Sequence, residues 1–471
     1  MSSLLQCFNL IDCRVNNAAS IGNWKVKHKT NSHSGQFSIF ASIYLLLYNK
    51  PCIMRIAFFI DDYLPSVHGV STSTLNCKQA LESLGHEVFV IAPRCEGYED
   101  HDDHIIRLPS AKNYAFDKRE MAVIYPGLAK KLDKYKFDIV HRQMQLYMGV
   151  LAHSVARRQN IPHVTTVHTM YSELIDDYPF TVIAGLIAAT VAFPVVLRVK
   201  PILPTASREQ LRSMSKSTIR DVMSRQGWRL MAAFANKCDA CISPSKHLER
   251  ILIDEGGLTV PCYVFPNGID IKRYEKASAA DSPIEKRPGE KFIISVARLS
   301  PEKRQRTLIE AMPHIRDRKV KLVLVGGGPY EEELRQRVEE LDVSSRVIFT
   351  GMRSSDEVAA MLKQADIFSL ASYHFDNQPM TFLEASASGL PIVYCDERMT
   401  EALTKHNAVL TGGIGGEDFA KVFNDLFAHP EKIEELSRGA LKVAKSLDSV
   451  TMAKKLEKLY QSLIETRKNL E

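Results

Sequence analysis

SYHFDNQPMTFLEASASGLPIV, residues Ser372 to Val393, is the stretch whose reading decides the fold. Before it, Asp366-Ile367-Phe368-Ser369-Leu370 is a short apolar run of the kind that forms a buried parallel strand. A polar loop follows, and Pro379 sits near the first turn of the next helix, where a missing N–H costs nothing. Gly389 ends that helix and Pro391-Ile392-Val393-Tyr394 begins another strand. The unit is therefore strand, loop, helix, strand, with the helix starting at the carboxyl edge of a parallel sheet. Free N–H groups around Met380, Thr381 and Phe382 would suit phosphate oxygens. Asp376 in the loop and Glu384 on the helix stand eight residues apart. Two acids so placed can take the hydroxyls of a sugar and a ribose while leaving the phosphates to the helix end. A surface loop with one exposed acid and one capping acid would show the same spacing.

The stretch resembles the acid-x7-acid element, usually written E-x7-E, of the retaining GT-B glycosyltransferases of family 4. Asp376 stands where that pattern has Glu and reaches one methylene less far, which bears on the identity of the donor sugar. Asn377-Gln378-Pro379 occupies positions where many members carry glycines.

At 471 residues the chain is long enough for two or three domains, each with its own core. Its 45% apolar and 25% charged content is that of an ordinary globular protein. Lys and Arg total 61 against 55 Asp and Glu. That mild basic excess suits anionic ligands or an anionic membrane surface and is too dispersed to argue for nucleic acid. The nine cysteines are scattered, and the one close pair, Cys238-x-x-Cys241, has no second pair at zinc spacing. Cys238 and Cys241 read as ordinary thiols in a reducing compartment.

Residues 1–53 read as a non-core extension. Phe37 to Tyr48 is a largely apolar run of 12, too short for a membrane span, and the 36 residues before it are too many for a signal-peptide start. The strong pattern beginning at Met54 is compatible with translation starting there, and a weak membrane contact is the alternative use of the extension.

From Arg55 the order is strand (Ile56 to Ile60), loop, helix (about Thr72 to Ser83, closed at Gly85) and strand (His86 to Ala92). Gly69 in that loop would let backbone approach a ligand at a helix start, although a single glycine is a weak signal. Its place resembles the family's N-terminal loop, whose backbone faces the donor diphosphate; His68 stands where a small or amide residue is usual. Glu99-Asp100-His101-Asp102-Asp103-His104 contains a D-x-D, but its place between two strands reads as a solvated turn and no metal is expected. Asp138 to His141 and Val164 to His168 read as strands ending in histidine. The resemblance implies that His168 faces the sugar, and His141 is taken as structural. Further strands at Ala240 to Ser243 and Tyr263 to Phe265 complete a domain spanning 54–270, and 271–290 reads as a linker.

A second Rossmann-like domain, 291–449, starts at Phe292 to Val296. Arg298 and Lys303 follow at a strand end and match the family's Arg-x4-Lys, with Arg304 in place of its common glycine. Lys321 to Val325 is a strand that turns through Gly326-Gly327-Gly328-Pro329. Val347 to Gly351 precedes Met352 and Arg353, a loop that in the family lies against the base. Val450 to Leu470 is an amphipathic helix, and residues 450–471 would cross back onto the first domain as in the GT-B fold.

The resemblance covers roughly 54–465 and implies an α/β GT-B enzyme: two doubly wound parallel-sheet domains facing across a cleft. It implies hexose transfer with retention, from a nucleotide-diphosphate sugar such as UDP-glucose as donor substrate, with no separate cofactor. His168 and Asp376 would face the sugar. Gly69, Arg298, Lys303, Met380 and Thr381 would hold the diphosphate, and Glu384, Gly351 and Met352 the ribose and base. The segment 179–235 departs from a plain Rossmann pattern. Phe180 to Leu197 is an 18-residue run without a charge, followed by a basic stretch to Arg229. This reads as peripheral attachment to an anionic, cytoplasmic membrane face, with a buried helix pair as the alternative. His168-Thr169-Met170-Tyr171, with acids following, resembles the diacylglycerol glucosyltransferases and implies a lipid acceptor. A soluble transferase acting on glucan or a small sugar, and an inactive sugar-nucleotide-binding protein, are the rival expectations.

Overall fold

Phe58 and Phe59 are neighbours in sequence but belong to two different cores. That is the signature of a strand covered by helices on both faces. In the computed structural model the described residues are 53–66, 68–113, 119–143, 147–168 and 216–470. Phe180 to Leu197, most of the basic stretch after it and residues 1–52 lie outside them.

The first sheet is built from β1 (Arg55–Phe59), β2 (Glu87–Pro93), β3 (Ile105–Leu108), β6 (Ile139–Arg142), β7 (His163–Thr166), β8 (Ala240–Ser243) and β9 (Cys262–Val264). Its order is β3-β2-β1-β6-β7-β8-β9, with every pairing parallel. A separate antiparallel pair joins β4 (Ser110–Asn113) to β5 (Arg119–Ala122). Helices α1 (Gly69–Ser83), α2 (Tyr147–Gln159), α3 (Lys216–Ala235) and α4 (Lys246–Asp254) accompany the sheet. On β1, Ile56 and Phe58 point to one core and Ala57 and Phe59 to the other, the period of two that a strand dictates.

After α5 (Ile271–Lys276) comes a second parallel sheet in the order β12-β11-β10-β13-β14-β15. Its strands are β10 (Lys291–Val296), β11 (Val320–Val325), β12 (Val347–Phe349), β13 (Ile367–Leu370), β14 (Ile392–Tyr394) and β15 (Ala408–Leu410). Its helices are α6 (Gln305–Ala311), α7 (Glu331–Glu340), α8 (Ser355–Gln364), α9 (Met380–Ala387), α10 (Gly416–Ala428) and α11 (Pro430–Ser446). The two doubly wound sheets are the GT-B arrangement expected from the sequence. In each, strand order reverses beside the first strand, between β1 and β6 and between β10 and β13. Ligands of open α/β sheets bind at the carboxyl ends of the strands at such a reversal. Arg298 follows β10 and Asp376 follows β13 at that point.

The chain crosses between domains twice, side by side. Ile269 N donates to Leu447 O (3.0 Å) and Ser449 N to Ile269 O (2.9 Å). A Cβ on Gly268 would lie 2.7 Å from Ser449 Cα, so only glycine admits this approach. From there α12 (Ser449–Asn469) returns to the first domain, burying Leu456, Leu459 and Tyr460 in the core that holds Phe58. Each such side chain contributes about 2 kcal/mol of hydrophobic stabilisation.

Several boundaries differ from expectation for local reasons. Helix α1 begins at Gly69 rather than Thr72 because His68 caps it. Strand β6 runs one residue past His141, and β7 ends two residues before His168. Within 271–290, α5 is helical and buries Tyr274 against the second domain. In the acidic turn, Asp100 pairs with Arg107 (2.7 Å) and Asp102 with Lys78 (2.6 Å). Among the described residues no helix is long and apolar enough to cross a membrane.

Candidate active site

Between the two sheets lies a cleft of about 750 Å³, lined from both domains. Its second-domain wall begins where β10 runs into Arg298. The loop carrying Arg298 can lie against the turn after β11 only because that turn is glycine. A Cβ on Gly326, where φ is +133°, would stand 2.1 Å from Ala297 O, and one on Gly328 the same distance from Leu299 O. Arg298 is exposed to the cleft and makes no ion pair among the described residues. Lys303 closes the short helical turn after it. Arg304 then takes the left-handed conformation (φ 51°), which explains why glycine is common at this place in the resembled family.

Lys303 Nζ reaches across to Asp376 Oδ1 at 2.5 Å, and the pair is largely buried. The ammonium also lies 5.1 Å from the ring centre of Phe375. Asp376 is therefore tied to Lys303 rather than standing free. Beyond it, α9 starts at Pro379, which supplies no side-chain cap. The N–H groups of Met380 and Thr381 are left for a ligand. Helix α1 reaches the same cleft from the other side, the Cβ position of Gly69 lying 3.9 Å from Met380 Cγ. Two helix N-termini thus converge with Arg298 and Lys303, an arrangement suited to a diphosphate.

Glu384 lies one turn into α9 on the cleft wall. Burial raises its carboxyl to about 7, against the opposing pull of Arg273. Tyr274, buried beside it, is held well above the ordinary phenol value, first by burial and then by the Glu384 charge. A carboxylate half-buried on the cleft wall is suited to accept from paired ribose hydroxyls. Met352 is 72% exposed and covers Gly327, with a Cβ there at 3.2 Å from Met352 Cγ, so an apolar plate stands ready for a flat ring. Gly351 does not line the cleft. It stands behind, accepting from Gly326 N (3.0 Å) through a carbonyl that needs its φ of 70°.

On the first-domain wall, His168 is lowered to about 4 by burial, with a lesser push from His68. Its imidazole is neutral at working pH, Nε2 lying 2.9 Å from Gln143 Oε1. With the proton on Nε2, Nδ1 is left as an acceptor. His141 is fully buried, its Nδ1 2.5 Å from Tyr460 Oη and its Nε2 2.7 Å from Thr166 Oγ1. It ties α12 to the sheet.

The cleft therefore gathers His168, Gly69 and Met352 with Arg298 and Lys303, and adds Asp376, Met380, Thr381 and Glu384. It also holds residues that sequence reasoning did not single out. Arg273 lies at the start of the second domain in a stretch that reads as linker, and nothing in its local pattern signals a role. Asn377 and Gln378 were visible only as departures from glycine.

Residues 67–273 match the model of Glycosyltransferase Family 4, and residues 278–443 that of Glycosyl transferases group 1. An alpha-monoglucosyldiacylglycerol synthase of Streptococcus pneumoniae is 31% identical over 353 residues, covering 72% of this chain and 70% of that protein. A synthase of the same name from Acholeplasma laidlawii is 26% identical over 427 residues, 88% of this chain and 98% of that protein. In fold, the chain resembles Anabaena Alr3699/HepE in complex with UDP-glucose, with a TM-score of 0.63 at 18% identity over 87% of this chain and 100% of that one.

Proposed function

Because the chain belongs to the glycosyltransferases of group 1 and family 4, and is a glycosyltransferase, we propose that it moves glucose from UDP-glucose to diacylglycerol with retention of configuration. The observation that carries the acceptor is the likeness to the Acholeplasma laidlawii synthase, which runs through both domains and 98% of that protein. In this reading the first domain, 54–270, receives the acceptor and the second, 291–449, the nucleotide. Residues 450–471 tie the two together.

The donor's diphosphate lies beside the Lys303–Asp376 pair, meeting Arg298, Lys303 and the open N–H groups of α9. Glu384 takes the ribose hydroxyls, Met352 covers the base, and Asp376 and His168 face the sugar. Among the described residues the cleft walls hold no side chain placed as a nucleophile. The acceptor hydroxyl attacks the anomeric carbon on the face the diphosphate leaves. The glycosidic bond to phosphate breaks, the bond to the acceptor oxygen forms, and the departing phosphate oxygen takes the hydroxyl proton. Cations and helix-end donors aimed at the charge growing on that oxygen contribute roughly 3–4 kcal/mol each. A peripheral attachment to an anionic, cytoplasmic membrane leaflet, through the apolar and basic segment after His168, brings the lipid to the cleft.

The test is incubation of purified protein with radiolabelled UDP-glucose and dioleoylglycerol in mixed micelles. Products are separated by thin-layer chromatography and the anomer read from its proton coupling. An α-glucosyl lipid is expected. Transfer only to a water-soluble sugar, or only from GDP-mannose, overturns the acceptor or donor assignment respectively. Flotation with vesicles with and without anionic lipid checks the membrane assignment, and failure to float with either removes it.

A further inference from the structure

At the mouth of α9, three consecutive residues hold polar atoms shut off from water and without a partner among the described residues: Asp376 Oδ2, Asn377 Nδ2 and Gln378 Nε2. The other polar atom of each side chain is engaged. Asp376 Oδ1 accepts from Lys303. Asn377 Oδ1 accepts from Ser245 Oγ of the first domain. Gln378 Oε1 accepts from Asn267 N at 2.7 Å, in the segment that crosses between the domains.

These bonds fix which way each amide points. A backbone N–H can only donate, so the oxygen of Gln378 faces Asn267 and its NH2 faces away. Ser245 Oγ, which accepts from Leu248 N at 3.2 Å, donates to Asn377 Oδ1, which leaves the NH2 of Asn377 on the other side. Both amides are 9% exposed and line the cleft beside Asp376. Buried polar groups are nearly always satisfied, and three unmet atoms in a row at a ligand cleft point to an occupant.

Resting on the transferase reading above, we infer that Asn377 and Gln378 are specificity-determining residues for the transferred hexose. Their NH2 groups donate to a sugar hydroxyl whose own proton goes to Asp376 Oδ2, and they do so in the closed cleft that their oxygens hold together. A hydroxyl both donates and accepts, so it matches one carboxylate oxygen and one amide nitrogen as neither an ether nor a methylene does. Sugar recognition and domain closure then share the same two side chains. A loop with glycines at these positions has no side chain to do either and is left with its backbone groups. The bare nucleotide leaves the three atoms unmet, and the sugar-bearing donor completes the seam.

The experiment follows UDP release from UDP-glucose and from its 2-, 3- and 4-deoxy analogues, for wild type, Gln378→Glu and Gln378→Met. UDP serves as a competitive inhibitor to report the nucleotide subsite, and thermal unfolding checks that each variant is folded. Gln378→Glu keeps the oxygen that accepts from Asn267 N and removes the NH2; Gln378→Met is the uncharged comparison. The expected result is a loss of about tenfold or more in kcat/KM on UDP-glucose, with the inhibition constant of UDP within about threefold of wild type. One deoxy donor should lose nothing further in the variants, because it already lacks the hydroxyl. Equal losses on every donor would reduce Gln378 to an interdomain strut and overturn the inference, as would full activity of both variants. Wild type that releases no UDP and is not inhibited by it overturns the transferase reading instead, whatever the variants do.

Discussion

The N-termini of α1 and α9 meet across one cleft, but they are finished differently. Helix α1 is closed by its own sequence. His68 Nδ1 accepts from Ser71 N (3.4 Å), Ser71 Oγ accepts from His68 N (3.0 Å), and His68 Nε2 turns to Asp62 (3.1 Å). Helix α9 has Pro379 in the capping position, which offers nothing. A capped end satisfies itself, whereas an uncapped end leaves its N–H groups to water or a ligand. Both helix ends carry a positive dipole, so in the proposed binding mode the heavier share of the diphosphate falls to α9, where the cations also stand. Helix α1 is left to shape the wall and to bring Gly69 close.

The largest test of that asymmetry is loss of the cations on the α9 side. Arg298→Ala and Lys303→Ala should each lower transfer by about two to three orders of magnitude without unfolding the protein. Steady-state rates measured beside circular dichroism decide it, and near-wild-type rates for both would break the comparison. Next in size, Pro379→Asp supplies the missing cap and places a negative charge where phosphate should sit. UDP affinity by calorimetry should fall about tenfold to a hundredfold while the unliganded protein gains stability. Unchanged affinity would mean that the open end of α9 is not a phosphate site.

Glu384 sharpens the same point through pH. Burial holds its folded value near 7 against an ordinary 4.5, so the folded protein keeps a proton that the unfolded chain has lost. Its cost to stability therefore grows as pH rises from about 4.5 to about 7 and is complete above that. The thermal midpoint of Glu384→Gln relative to wild type should rise across this window. In wild type, UDP should bind more tightly as the carboxylate forms between about pH 6 and pH 8. Glu384→Gln should bind it about tenfold more weakly and without that slope. A wild type with pH-independent affinity would remove Glu384 from the ribose. The smallest effect is expected at the capped helix. His68→Ala should cost about 1 kcal/mol in chemical denaturation and change transfer by less than about fivefold. A loss as large as that of Lys303→Ala would show that α1 carries the diphosphate after all.

The unit from Asp366 to Tyr394 was legible because each signal in it is local. An apolar run, a proline at a helix start and a glycine at its end act within a few residues, and the structure places β13, α9 and β14 where they indicate. Arg298 and Lys303 were legible for the same reason, standing directly after a buried strand. Helix α1 starts three residues before the sequence pattern places it because histidine is not a usual cap, and its role depends on Asp62 holding the ring. The returning helix is legible as amphipathic and the resemblance implies its return to the first domain, but the residue it meets there is not legible. Tyr460 meets His141 across 319 positions of sequence.

What the amino-acid order determines by itself here is periodic: alternating cores along β1 and β10, strand and helix in succession, and acids and cations at strand ends. Those features need only a chain's nearest neighbours and the side of the sheet each residue must face. What only the tertiary structure decides is which of these ends meet. Lys303 lies 73 residues from Asp376, and Gln378 is 111 residues from Asn267. Such pairings arise when two separately wound sheets close on one cleft, and a hydrogen bond's reach of about 3 Å leaves no trace in the intervals between residues.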